Sequence, residues 1–381
     1  MRVYLDHNAT APIRPEARAA MMAALDLPGN AQSVHSEGRR ARSLIEAARA
    51  QIAALIGARS QDVVFTSGGS EANALALRGA LQGAAAAGER VTRLIASAIE
   101  HESIRANARA CEETIPGLRV LECPVTSDGV VNVTELRRLL MEGKGRALIS
   151  IMAANNETGV IQPLGEVVGV ARSHGALLHC DAVQATGRIP FSASDFDYVT
   201  LSAHKLGGPQ GIGALIVRDG VPFAPQILGG GQEQGRRAGT ENVAAIAGFG
   251  AAAAAAKPNA DHLRWRQALE RKLIGAVDGT VVVGATTERL PNTICVAVPA
   301  VPSENMVIAL DLDSFAVSAG AACSSGKVTR SHVLTAMGVD PHVAASAIRV
   351  SFGWNTTEEE LNAFAEAWTR IVKRAASRAA A

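Results

Sequence analysis

Aromatic residues are scarce in this sequence, and its few cysteines form no CxxC pair. Aromatic residues make up 3% of the 381 residues, whereas hydrophobic residues make up 48% and glycine occurs 36 times. An odd number of cysteines without close pairs argues against a disulfide framework or a structural zinc site, and it predicts a reducing cytoplasm. The five are Cys111, Cys123, Cys180, Cys295 and Cys323.

A charge excess and a long apolar run are also missing. The 37 basic and 36 acidic residues leave a formal net charge of +1, which predicts neither a nucleic acid nor a membrane as partner. The start, "MRVYLDHNAT", has no signal-peptide pattern, and "VAAIAGFGAAAAAA" is too short to span a bilayer. The histidines show no ligand spacing, so no metal site is expected.

Short β-rich runs alternate with helical patterns between residues 37 and 217. This alternation predicts an α/β fold, with a parallel-type sheet covered by helices on both faces. We expect a large domain over residues 15–256. The stretch "KPNADH" then indicates a domain boundary. Residues 1–14 and 257–381 are expected to form a smaller α+β domain.

Polar groups at strand ends are the first candidates for a site, because ligands of open α/β sheets bind at the carboxyl ends of strands. In "FTSGGSEAN" (65–73) a glycine-rich helix start with Ser70 suits a phosphate, although such turns are also common without a ligand. Asp181, which ends "ALLHCD", could cap a helix or hold a protonated ring nitrogen.

Lys205 in "LSAHKLGGPQG" and Cys323 in "SAGAACSSG" are the candidate reactive groups. Lys205 is either a solvated loop lysine or, if desolvated or beside another cation, a group that forms a Schiff base. Cys323 is either incidental or a thiol placed to travel to a substrate. A phosphate cradle, a strand-end Asp181 and a lysine two dozen residues later match the anchor points of pyridoxal 5′-phosphate.

Nine motifs over nearly the whole chain resemble those of the cysteine desulfurases of the NifS/IscS kind. The motifs are "VYLDHNATAPIRPEA", "FTSGGSEANALAL", "IEHESI", "ANNETGVIQPL", "HCDAVQATGRIP", "LSAHKLGGPQGIGAL", "GGGQEQGRRAGTEN", "SAGAACSSG" and "IRVSFGWNTTEEE". The resemblance implies a fold-type I pyridoxal-phosphate transferase of the class V aminotransferase superfamily. It implies a mostly parallel seven-stranded sheet flanked by helices in the large domain, plus the smaller α+β domain.

The resemblance also assigns roles around the cofactor ring. Lys205 would bind the cofactor covalently and act as the base at the substrate Cα, and Asp181 would keep the pyridine nitrogen protonated. Gln184 would bond the ring's 3-oxygen, and Asn155 would lie near that oxygen and the substrate. His101 would stack on the ring and assist proton transfers.

The remaining roles concern the phosphate, the substrate and the sulfur. Arg349 would grip the substrate carboxylate, and Cys323 would accept the sulfur of L-cysteine as a persulfide, leaving L-alanine. The sulfur would pass to an acceptor such as an iron–sulfur scaffold, as in NifS-like members. The residues implied for the phosphate are Gly69, Ser70, Ser202 and His204, with Thr240 reaching the phosphate of the neighbouring subunit of a homodimer.

Other activities share these anchors. A selenocysteine lyase or a class V aminotransferase would use the same cofactor site, and the aminotransferase would not need Cys323. A non-enzymatic sulfur-relay subunit is the third alternative, although both Lys205 and Cys323 are present. The physiological sulfur acceptor stays open.

Overall fold

The computed structural model describes residues 2–299, 301–320 and 330–379. The strands are β1 Val3–Tyr4, β2 Val63–Thr66, β3 Val91–Ser97, β4 Arg119–Cys123, β5 Arg146–Ser150, β6 Leu177–Asp181, β7 Tyr198–Ser202, β8 Gly213–Val217, β9 Val281–Val282, β10 Thr293–Ala297, β11 Phe315–Ala316, β12 Ser318–Ala319 and β13 Ile348–Ser351.

Helices alternate with these strands through most of the chain. They are α1 Pro15–Leu25, α2 Ser36–Ile56, α3 Gly69–Ala86, α4 Glu102–Thr114, α5 Val133–Met141, α6 Leu164–Ser173, α7 Val243–Ala255, α8 Ala260–Ala276, α9 Ser303–Leu312, α10 His332–Ala336, α11 Pro341–Ser346 and α12 Glu358–Ala379. Short 3₁₀ turns cover Ser60–Asp62, Ala203–Lys205 and Gln232–Gly235.

The central sheet has seven strands in the order β2-β8-β7-β6-β5-β3-β4. Neighbouring strands run parallel except at β8, which is antiparallel to both β2 and β7. Only residues 203–212 separate β7 from β8, and such a connection is too short for a parallel crossover. The prediction of a mostly parallel seven-stranded sheet is confirmed.

Each face of this sheet carries its own apolar core. Side chains alternate along a strand, so Val63 and Phe65 pack with α2 and α7 on one face, while Val64 packs with α3 and α4 on the other. Both faces being covered explains why the strands are almost wholly apolar.

A second, antiparallel sheet has the order β12-β13-β10-β9, and β1 pairs with β11 beside it. A separate core joins this sheet to α8, α9 and α12, and it includes Val3 and Leu5 from the N-terminus. The division of the chain at residues 14 and 256 stays a prediction. The packing of residues 3–5 with the second core is consistent with placing the N-terminal segment in the smaller domain. No helix within the described ranges is long and apolar enough to cross a bilayer.

Candidate active site

The strands β2, β6 and β7 end at one edge of the central sheet, because β2 and β7 are both antiparallel to β8 and β6 is parallel to β7. Asp181 is the last residue of β6, and Ser202 is the last residue of β7. The helix α3 begins at Gly69, three residues after β2 ends. A cavity of about 370 Å³ lies at this edge.

Most of the predicted site residues line this one cavity. They are Gly69, Ser70, His101, Asp181, Gln184, Ser202, His204, Lys205 and Arg349. The cavity is therefore built from both ends of the chain and from the centre of the sheet.

The first turn of α3 supplies backbone donors to the cavity. A Cβ atom on Gly69 would lie 3.3 Å from Val183 Cγ2 and 3.4 Å from Ser202 Cβ, so a larger residue would crowd this end. Nearby, burial and the cations Lys205 and Arg188 lower the pKa of His204 to about 4. His204 is therefore a neutral hydrogen-bonding group at pH 7, and the helix start supplies the positive potential for an anion.

The Asp181 carboxylate is held by two donors. Asn73 Nδ2 donates to Asp181 Oδ2 over 2.8 Å, and the backbone N–H of Val183 donates to Oδ1 over 3.0 Å. Asp181 is 8% exposed. A carboxylate accepts about four hydrogen bonds, so this one both caps its own turn and retains capacity for a ring N–H.

Lys205 ends the 3₁₀ turn that follows β7. Its Nζ atom donates to the backbone oxygens of Asn8 and Ala9, each over 2.7 Å. The N-terminal segment thus orients the amine at the edge where Asp181 and the start of α3 meet.

His101 is the N-cap residue of α4. Its Nδ1 atom accepts the backbone N–H of Ser103 over 3.1 Å and lies 2.8 Å from Ser103 Oγ. Because Nδ1 is an acceptor here, the neutral ring carries its proton on Nε2. Capping of the helix fixes both the ring position and its tautomer.

Arg349, on β13, is 3% exposed and is held from two sides. One terminal nitrogen donates to Asp6 Oδ1 over 2.9 Å, and the other donates to the backbone oxygen of Asn156 over 3.1 Å. Asp6 also accepts from Ser318 Oγ over 2.7 Å. Within the described ranges, the buried Arg349 Nε has no hydrogen-bond partner.

Two predicted residues lie away from the cavity wall. Asn155 is fully buried, and its Oδ1 accepts the backbone N–H groups of Glu157 and Thr158, so its side chain shapes a turn while Asn156 lines the cavity. Thr240 is exposed and lines a separate surface pocket.

Gln184 lines the cavity, but its side chain already has partners. Its Nε2 donates to the backbone oxygen of Asn8 over 3.0 Å, and Arg188 donates to its Oε1. Its amide therefore sits in a network with the N-terminal segment, where it can still reach the cavity.

Cys323 lies outside the described residues. The other four cysteines are buried, and burial raises the pKa of Cys123 and Cys295 to about 12 and that of Cys180 well above its ordinary range. The pKa of Cys111 is raised for the same reason. These thiols stay protonated at neutral pH and are poor nucleophiles.

Sequence reasoning missed several wall residues, namely Asn8, Asn73, Ser103 and Asn156. Asn73 lies four residues after Gly69 on α3 and therefore shares a helix face with it, which was an available signal. Asn8 lies in the motif "VYLDHNATAPIRPEA", but no pattern in the sequence indicates that its backbone oxygen accepts a hydrogen bond from Lys205.

Glu100 lies directly before His101 and is fully buried beneath the site. Its Oε1 accepts from the backbone of Met152 over 2.8 Å and from Ser97 Oγ over 3.0 Å. Burial raises the pKa of Glu100 to about 8, with a smaller contribution from the Asp181 carboxylate. At neutral pH this carboxyl group is therefore mostly protonated.

The donor set fits pyridoxal 5′-phosphate. A helix start that a Cβ atom would crowd suits the phosphate, a buried carboxylate with spare acceptor capacity suits the pyridine nitrogen, and the Lys205 amine suits the aldehyde. The fold and the cavity together define a pyridoxal-phosphate-dependent enzyme.

Comparison with known proteins supports this assignment to the pyridoxal-phosphate-dependent enzymes. The aminotransferase class-V family matches residues 3–364. A cysteine desulfurase of Cereibacter sphaeroides is 41% identical over 97% of this chain and 96% of its own, and the cysteine desulfurase IscS of Dictyoglomus turgidum is 38% identical over 98% and 95%. The chain belongs to the aminotransferase class-V family, in its pyridoxal-phosphate-dependent cysteine desulfurase group.

Solved structures give the same grouping. The NifS-like protein of Rickettsia africae superposes with a TM-score of 0.86 at 36% identity, covering 98% of this chain and all of that one. The structure of SspA in complex with cysteine gives a TM-score of 0.80 at 30% identity, covering 92% and 99%. The predicted family, fold and cofactor are confirmed.

Proposed function

We propose that this protein removes the sulfur of L-cysteine, releases L-alanine and carries the sulfur as a persulfide on Cys323. The observation that carries the proposal is the meeting of Lys205, Asp181 and Arg349 around one cavity. The names of the relatives support it, since relatives at 41% and 38% identity are cysteine desulfurases and SspA has been solved with cysteine.

The cavity residues divide into cofactor and substrate groups. The amides at the start of α3, with Ser70, Ser202 and His204, would hold the phosphate, and Asp181 would keep the ring nitrogen protonated. Gln184 would bond the ring's 3-oxygen. The proposal leaves Asn155 a supporting role, because its side chain is used within the turn that presents Asn156.

Arg349 would bind the substrate carboxylate, since a guanidinium matches a carboxylate in a planar, two-pronged contact. Asp6 and the Asn156 carbonyl hold that guanidinium from behind. When bound, pyridoxal phosphate withdraws electrons from the substrate Cα. Lys205 would take the Cα proton, and the fixed imidazole of His101 would move protons at the substrate.

Cys323 would complete the reaction as its nucleophile. Its thiolate attacks the substrate sulfur, so an S–S bond forms, the C–S bond breaks with its electrons going to carbon, and the carbon is protonated to give alanine. The described chain on both sides of residues 321–329 supports this role. Ser318 pairs with Arg349 between β12 and β13, and Ser331 Oγ donates to Glu157 Oε2 over 2.6 Å next to the turn that presents Asn156.

A homodimer is part of the proposal, with Thr240 reaching the phosphate of the partner's site. Thr240 is exposed, and Gln32 donates to the neighbouring Glu241 over 2.8 Å, which joins two surface segments. These segments carry the exposed apolar side chains Val34 and Leu228. Apolar exposure of this kind suits a subunit contact, and light scattering of the purified protein would test it.

We further propose a cytoplasmic protein that passes its sulfur to an acceptor such as an iron–sulfur scaffold. A persulfide carrier needs a reducing compartment, because a competing disulfide would consume the thiol. Transfer of ³⁵S from labelled persulfide to a purified scaffold protein would test the acceptor.

A single-turnover reaction tests the central step. The cofactor-loaded protein is mixed with L-cysteine without a reductant. The mass of the peptide that bears Cys323 is then measured by mass spectrometry. We expect one added sulfur on that peptide and an equal amount of alanine.

Cys323→Ala should keep the yellow cofactor and lose this transfer, whereas Cys111→Ala, a matched change at a buried thiol, should retain it. Alanine without added sulfur would make the protein a lyase. No alanine from a cofactor-loaded protein would favour transamination or a relay role.

A further inference from the structure

A second cavity of about 350 Å³ lies on the other side of Lys205, between the central sheet and the second core. Arg14, Arg188 and Lys257 line it, together with His7 and His262. Among the described residues that line it there is no aspartate or glutamate. The whole chain has a net charge of only +1, so this grouping of cations is local.

Arg14 presents hydrogen-bond donors to this cavity. Its Nε donates to the Leu206 carbonyl over 2.8 Å, and its guanidinium carbon lies 5.3 Å from the centre of the Trp354 ring. In the described part of the chain, its two terminal nitrogens have no hydrogen-bond acceptor. The carbonyl and the ring thus hold the guanidinium in place while donors remain available.

Arg188 is bound by neutral groups alone. One terminal nitrogen donates to Asn8 Oδ1 over 2.8 Å and to the Gln184 side chain, and the other lies 3.4 Å from the His7 carbonyl. No described carboxylate forms an ion pair with it. A partly buried cation without an ion partner is costly, and a bound anion would reduce that cost.

The electrostatics of the cavity agree with this geometry. Burial and the neighbouring Arg349 lower the pKa of Arg188 to about 9. Burial, Arg188, His262 and Arg14 together lower the pKa of His7 to about 3. The cavity residues thus repel further positive charge.

Two glycines, Gly207 and Gly353, keep side chains from crowding the residues that line this cavity. A Cβ atom on Gly207, which has φ 82°, would lie 2.7 Å from Arg14 Cγ, and one on Gly353 would lie 2.1 Å from His7 Nδ1. A volume of about 350 Å³ exceeds what a single water needs and suits a small ligand.

We propose that this second cavity binds a small oxyanion, either inorganic phosphate or sulfate or the phosphate group of a small metabolite. Arg14 and Arg188 bind it with paired N–H donors, and Lys257 closes the exposed side as a point charge. The site is separate from the cofactor phosphate site, which lies at the start of α3.

Calorimetric titration of inorganic phosphate into the cofactor-loaded protein tests the proposal, with chloride at equal ionic strength as the blank. We expect saturable binding in the wild type and at least about tenfold weaker binding in Arg14→Gln. Arg18→Gln, an exposed arginine one turn along α1, is the matched control and should bind as the wild type does.

Lys257→Gln gives an independent measurement, because Lys257 is exposed and its replacement leaves the packing intact. It should weaken phosphate binding by a smaller factor. A titration with glycerol 3-phosphate then distinguishes the two sources, since tighter binding of the ester identifies a metabolite head group. No saturable heat with the wild type up to about 10 mM, or equal affinity in Arg14→Gln, would overturn the proposal.

Discussion

The active-site cavity has two walls that are held in different ways. The sheet wall, formed by Gly69, Asp181, Ser202 and Lys205, stands at the ends of strands and at a helix start that rest on continuous apolar cores.

The polar wall, formed by Asn8, Asn156 and Arg349, is held by side-chain contacts between distant segments, such as Arg349 with Asp6. The difference indicates that the positions of the proposed reacting groups depend on the fold itself. The positions of the proposed substrate-binding groups depend on a few buried hydrogen bonds.

The largest effect should come from removing the reactive group of the sheet wall. Lys205→Ala should lower the rate of alanine formation by about 10³-fold or more, because it removes the amine proposed as both the covalent link to the cofactor and the base. The absorbance of the bound cofactor should change with it. Lys272→Ala, at an exposed lysine, is the control, and a rate for Lys205→Ala within tenfold of the wild type would contradict the assignment.

On the polar wall, the conservative change Arg349→Lys should mainly weaken substrate binding. A lysine keeps the charge but loses the planar fork, so KM for L-cysteine should rise about 10- to 100-fold while kcat changes less. Steady-state kinetics separates the two constants, and the exposed Arg370→Lys should change neither. An unchanged KM would remove Arg349 from the substrate site.

Glu100, beneath the sheet wall, should make stability depend on pH. Its pKa is about 8 when folded against an ordinary value of 4.5, so the folded chain holds a proton that the unfolded chain releases. The contribution of Glu100 to the free energy of unfolding therefore falls as the pH rises from about 4.5 to about 8, by about 1.4 kcal/mol per pH unit within that range.

Glu100→Gln removes the titrating carboxyl group and, with it, this pH-dependent loss of stability. Relative to the wild type, the variant should gain about 1.4 kcal/mol in unfolding free energy between pH 6 and pH 7, measured by urea denaturation. The exposed Glu304→Gln should show the wild-type slope. A Glu100→Gln slope equal to that of the wild type would mean that the carboxyl group is ionised in the folded chain.

The smallest effect is expected for the residue that supports Asp181. Asn73→Ala removes one hydrogen bond to the Asp181 carboxylate, which is worth about 1 kcal/mol. The loss should weaken cofactor binding by about fivefold. Equilibrium dialysis of the cofactor measures this change, with the surface residue Asn362→Ala as control. Retention equal to the wild type would show that Asp181 needs no support from α3.

The two walls also differ in how far the sequence predicts them. Asp181 ends one strand and Lys205 follows the next, and both strands have unambiguous apolar runs. The carboxyl ends of neighbouring parallel strands lie at the same edge of the sheet, so the proximity of these residues follows from the pattern. The contact of Asn8 with Arg188, and that of Asp6 with Arg349, joins residues far apart in the chain. No local periodicity encodes such contacts.

Asn155 shows a further limit. The motif "ANNETG" predicts a polar turn near the site, but which of two adjacent asparagines faces the cavity depends on the turn geometry. Here Asn155 bonds the backbone of the turn and Asn156 faces the cavity. The antiparallel course of β8 is indicated by the short connection between β7 and β8, and not by the composition of the strand.

The pairing of Asp6 with Ser351 joins the two ends of the sequence at the active site, beside Arg349. A ribosome delivers these ends at opposite times. The emerging chain can therefore assemble the large sheet, with Lys205 and the proposed phosphate site, well before Arg349, the proposed substrate-binding residue, leaves the exit tunnel. With the proposed roles, competence to hold the cofactor comes first during synthesis, and competence to select a substrate comes later.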